Sequence, residues 1–87
     1  MQFEGAKITE WGVTFAIVIV TSSTLNNQSE ADRMITAFRR EVFGNIPVIL
    51  MAQDGFGTPT YFGQSDIVNR LANVPVEAIP WQHYTLN

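Results

Sequence analysis

Residues 46–53, reading Ile-Pro-Val-Ile-Leu-Met-Ala-Gln, constrain this chain more than any other stretch. They are almost wholly apolar and rich in β-branched side chains, and they lie between Gly44 and the turn pair Asp54-Gly55. A strand without polar alternation must have both faces covered, so this segment is expected at the middle of a sheet. Residues 13–20, Val-Thr-Phe-Ala-Ile-Val-Ile-Val, have the same character. Val13, Phe15, Ile17 and Ile19 point to one face, and Thr14, Ala16, Val18 and Val20 to the other.

The rest of the chain arranges itself around these two strands. Residues 3–9 form a weaker strand whose Glu4, Lys7 and Thr9 suggest a solvated edge, and Gly12 supplies the positive φ of a tight connection into 13–20. Residues 21–28 read as a polar loop ending in helix start signals, with Asn27 and Glu30, or Ser29 and Asp32, as capping pairs. A helix is expected over 29–43. Ala31, Met34, Ile35, Phe38 and Val42 make one stripe, and Gly44 or Asn45 supplies the left-handed cap. The crossover between 13–20 and 46–53 suits parallel pairing with a right-handed connection.

Asp54-Gly55-Phe56-Gly57 then reads as a hairpin loop into an antiparallel strand at 58–62. A second helix follows over 66–73, capped by Ser65, with Ile67, Val68, Leu71 and Ala72 inward and Asp66 and Arg70 spaced to pair. Residues 76–79, bracketed by Pro75 and Pro80, are expected as a short edge strand. The segment 81–86 carries Trp81 and Tyr84 and must pack on something. The expectation is one small α+β domain of order β-β-α-β-β-α-β, with a mixed sheet of four or five strands and two helices.

Part of this order resembles the thioredoxin fold. The shared pattern is a strand–helix–strand followed by a hairpin and helix, with Thr58-Pro59-Thr60 opening the hairpin's second strand. It covers about the central half of the chain. That family's active-site cysteine pair is absent, as is a helix between 46–53 and Pro59, so the likeness is architectural and implies no redox activity here.

Composition bounds the function. With no cysteine and one histidine, no disulfide, thiol chemistry or structural zinc site is expected, and no cofactor or metal is assigned. A net charge of −3 without a basic run disfavours nucleic acid and anionic membranes as partners. Residues 13–20 are too short to cross a bilayer and no cationic signal region precedes them, so a soluble, cytoplasmic protein is expected. Charged residues are 15% of the chain, against a typical ~25%, while apolar residues are 46%. Two helices leave the faces of so apolar a sheet incompletely covered, which points to a homodimer with Trp11, Phe56, Trp81 and Tyr84 as contact candidates.

No strong catalytic motif is present. Beyond the carboxyl ends of parallel strands, where ligands bind in open sheets, Ser22, Ser23, Gln53, Asp54 and Phe56 would form a rim for a small polar ligand. The expectation is a homo-oligomeric binding or interaction domain without catalysis. The alternative is a small enzyme using Asp54 with His83, and a basic residue such as Arg70, in acid–base work.

Overall fold

The computed structural model describes residues 2–85. Five strands form one mixed sheet: β1 (Gln2–Glu10), β2 (Val13–Ile19), β3 (Val48–Gln53), β4 (Pro59–Phe62) and β5 (Gln82–Thr85), in the order β4-β3-β2-β1-β5. Helices α1 (Ser22–Leu25) and α2 (Gln28–Phe38) lie between β2 and β3, and α3 (Ser65–Leu71) follows β4. This is the expected α+β class. Among the described residues, no helix is long and apolar enough to cross a membrane.

The two doubly apolar strands lie where their composition demands. β2 and β3 pair in parallel, with Ile17 opposite Ile49 and Val18 opposite Leu50, and each is flanked by an antiparallel neighbour. Alternation then sends their side chains into two cores. Phe15, Ile17, Ile49 and Met51 meet Ile67 and Leu71 of α3. Ala16, Val18, Val48 and Leu50 meet Ala31 and Phe38 of α2, together with Phe43. Helices therefore pack against both faces of the sheet.

α2 starts where Asn27 caps it: the Asn27 side chain accepts a hydrogen bond from the Glu30 amide at 3.2 Å. The helix expected over 29–43 is α-helical only to Phe38 and continues as a π-helical turn over Arg39–Phe43. The reason lies in the spacing of Phe38 and Phe43. An i, i+5 period stacks the two on one face, so Phe43 reaches the core that an ordinary α-turn would deny it. Gly44 then closes the helix in the left-handed region at φ 69°. The expected polar loop 21–28 contains the single turn α1, whose Leu25 packs against the same core.

Three further expectations are corrected. β1 is not an edge, because β5 adds to its outer side with Phe3 opposite Tyr84. Residues 76–79 are not a strand. They form a 3₁₀ turn at Val76–Ala78, in which the Ala78 amide donates to the Pro75 carbonyl and the Ile79 amide to that of Val76. Pro75 and Pro80 remove ladder donors, and Val76 and Ile79 at i, i+3 share the inner side of such a turn. Ser65 is the first residue of α3 rather than its cap; Gln64 occupies that position and makes no side-chain cap bond. Leu86, the end of the expected C-terminal segment, lies outside the described residues.

Candidate functional site

The parallel pair β2–β3 delivers the polar residues named from the sequence to one end of the sheet, and the Val20 amide extends the pairing by donating to the Met51 carbonyl at 2.8 Å. There they are occupied locally. Ser22 opens α1, while the Thr21 hydroxyl lies 2.9 Å from that of Ser23 and 3.1 Å from that of Thr24. Asp54 Oδ1 accepts from the Phe56 amide at 2.8 Å and the Thr58 amide at 2.9 Å. Gln53 Nε2 donates to the Gly57 carbonyl at 3.0 Å. These bonds build the turn that carries Phe56, whose side chain projects into solvent with 96% exposure.

The acid–base pair of the enzymatic alternative is not brought together. Asp54 follows the last residue of β3 and His83 lies in β5, three strand positions away in the sheet order, or roughly 14 Å across at the usual inter-strand spacing. Arg70 makes no ion pair with Asp54. Its i, i+4 pair with Asp66 does not form; instead its guanidinium lies over the Trp11 ring, 5.5 Å from the centroid. Among the described residues, no group of three or more histidine, aspartate or glutamate side chains is placed to hold a metal ion.

The other aromatic candidates are engaged within the chain. Tyr84 stacks on Phe3 at 5.2 Å and meets Phe43 edge-on at 5.4 Å. Trp81 packs against the α3-side core and its indole N–H donates to the Val76 carbonyl at 3.0 Å. Trp11 differs, being 42% exposed at the β1–β2 turn. Its backbone is left-handed at φ 53°, followed by Gly12 at φ 75°. Two successive positive φ values make the turn that matches strand twist, but the first position ordinarily takes Asn, Asp or Gly. A bulky residue there is held against a local penalty.

Trp11 forms one wall of an apolar groove of about 490 Å³. α3 is only seven residues long and leaves the hairpin end of its sheet face uncovered. Phe15, Leu71 and Ile79 line the groove beside Ile8, with Val74 and Ala78 from the segment that follows α3, and Glu10 is the acidic side chain among them. The Trp11 and Phe15 rings are parallel to within 4° at 5.9 Å, so the indole is seated as well as exposed. A smaller hollow of about 250 Å³ lies beside Thr36, Arg39, Arg40 and Asn45. Its cations are committed, with Arg39 donating to the Asn45 carbonyl at 3.1 Å and Arg40 lying 3.4 Å from Glu41.

Sequence reasoning missed the groove because its residues come from β1, β2, α3 and the Pro75–Pro80 connection. The available signal was a tryptophan immediately before Gly12 in a two-residue turn. Compared with protein families, curated proteins and solved structures, the chain matches none.

Proposed function

We propose that this chain is a small, non-catalytic interaction domain whose binding surface is the groove beside the β1–β2 turn. The observation that carries the reading is Trp11, a large aromatic held in a left-handed backbone, stacked on Phe15, capped by Arg70 and half-open at the mouth of an apolar hollow. Backbone strain of this kind persists where the surroundings over-determine it, and it concentrates at binding sites. A groove of a few hundred Å³ with apolar walls and few polar groups has the composition of a ligand site. The rim charges, Glu10 and Arg70, would orient a bound segment rather than supply its affinity.

The expectation of a polar-ligand rim at Ser22, Ser23, Gln53, Asp54 and Phe56 takes second place, because Ser23, Gln53 and Asp54 are already engaged by Thr21 and by backbone groups of their own loops. The test uses Nile red, a neutral apolar dye, and the substitution Ala78→Glu, which places a carboxylate at an exposed position on the groove wall. Dye fluorescence should rise with the unaltered chain and be largely lost with Ala78→Glu. Equal binding to both proteins would contradict the assignment.

A further inference from the structure

If the groove is the binding surface, something of matching shape and chemistry must fill it. We propose that the occupant is Phe56 of a second copy of this chain. The two features lie at opposite ends of the molecule. The β1–β2 turn precedes β2 and the Phe56 loop follows β3, and those strands run parallel through the centre of the sheet. Phe56 therefore cannot enter the groove of its own chain, and any engagement joins two molecules.

Phe56 is built to be presented. Isolated exposed apolar side chains are common on soluble proteins, but this one stands on a pinned loop. The Asp54 amide donates to the Thr58 carbonyl and the Gly57 amide to the Asp54 carbonyl, each at 3.0 Å. Asp54 Oδ1 holds the Phe56 and Thr58 amides, and Gln53 holds the Gly57 carbonyl. Gly57 adopts φ 83°, a conformation that suits glycine and closes the turn. A loop whose backbone is already held by its own hydrogen bonds gives up little backbone freedom on binding, which is where pre-organised contacts gain affinity.

The charges agree with this pairing. Among the described residues, Arg70 at the groove and Asp54 beside Phe56 have no ion-pair partner. With the phenyl ring in the groove, Asp54 can approach the partner's Arg70. Glu10 on the same rim repels Asp54, so the loop enters with its acidic side toward Arg70. One aromatic side chain and its loop bury far less than the ~1,200 Å² of a standard stable interface, so the association is weak and concentration-dependent.

A complementation experiment tests the contact. Phe56→Ser removes the knob and leaves the groove; Ala78→Glu blocks the groove and leaves the knob. Both positions are exposed, and circular dichroism of each protein verifies that it has folded. In sedimentation equilibrium up to about millimolar concentration, the weight-average mass of the unaltered chain should rise above 9.7 kDa. Each variant alone should stay monomeric, and their equimolar mixture should form a one-to-one dimer. Phe56→Leu, which keeps an apolar knob, should associate in part. Association undiminished by Phe56→Ser would overturn the proposal, as would a mixture that stays monomeric. If the unaltered chain is monomeric throughout, Nile red separates the two readings. Ala78-dependent dye binding then leaves the groove standing with a different occupant, and its absence removes both.

Discussion

Replacing Trp11 by asparagine, alanine and glycine separates what its side chain contributes from what its backbone conformation costs. The indole is 42% exposed, so somewhat more than half of its surface is covered by Phe15, Arg70 and the groove wall. An aromatic buries 150–250 Å² when fully enclosed; about half of that at ~25 cal/mol/Å² is roughly 2–3 kcal/mol. Stacking and the cation–π contact add on the order of 1 kcal/mol. Against this, a left-handed φ costs a residue with a Cβ about 1–2 kcal/mol, and φ at Trp11 is 53°. All three substitutions lose the side-chain part, but they differ in the backbone part. Glycine escapes the penalty, asparagine escapes much of it, and alanine escapes none. Trp11→Ala should therefore lose about 3 kcal/mol, while Trp11→Asn and Trp11→Gly should each lose about 1 kcal/mol less. Urea unfolding followed by circular dichroism gives the three differences directly. A Trp11→Ala protein as stable as Trp11→Asn would refute the strained-turn reasoning, whatever the absolute values.

Ile49→Ala, at a fully buried position in the central strand, should cost roughly 2–5 kcal/mol in denaturant titration, whereas Arg40→Ala on the exposed helix end should change stability by less than about 0.5 kcal/mol. Gly5→Ala should destabilise by about 1–3 kcal/mol, measured by thermal unfolding, because a Cβ there would lie 2.7 Å from the Ile17 carbonyl oxygen across the β1–β2 pair. Burial raises the pKa of Tyr61 above its ordinary value, and its hydroxyl is buried without a hydrogen-bond partner among the described residues. The folded state therefore keeps this proton after the unfolded chain has lost it. The contribution is fully present below about pH 10 and is lost as pH rises through the folded-state pKa. Tyr61→Phe should leave stability at pH 7 unchanged or slightly raised and should flatten the decline above pH 10 in stability measured against pH.

The parts of the fold legible in the sequence were those under the strongest constraint. Residues 13–20 and 46–53 are apolar on both sides, and only a central, doubly covered pair accommodates them; the structure has that pair in parallel. The Asp54–Gly57 turn and the cap at Asn27 were likewise readable, because each follows from local hydrogen bonding. The rest depended on long-range contacts. β5 reads Gln-His-Tyr-Thr, and only Tyr84 among these gains appreciable burial, so its strand character comes from pairing with β1 rather than from its own pattern. Val76 and Ile79 looked like strand residues because the alternation of a short run cannot be told from a single turn. The π-helical turn brings Phe43 into the core beside Phe38, with Val42 half-buried against it, which no propensity anticipates. Among the candidate residues, Gln53 and Asp54 were easy to see and make local hydrogen bonds in their loop, while the groove is assembled from apolar side chains distant in sequence.

The groove as binding surface is tested most directly by an isotope-edited titration of the ¹⁵N-labelled Phe56→Ser chain with N-acetyl-phenylalanine amide, which supplies the missing ring. Chemical-shift changes are predicted at the Trp11 indole N–H and at the amides of Ile8, Leu71 and Ala78, and the same titration of a Phe56→Ser, Ala78→Glu double variant should leave them unmoved. Changes confined to Thr36, Arg39, Arg40 and Asn45, or to Ser22 and Asp54, would contradict it.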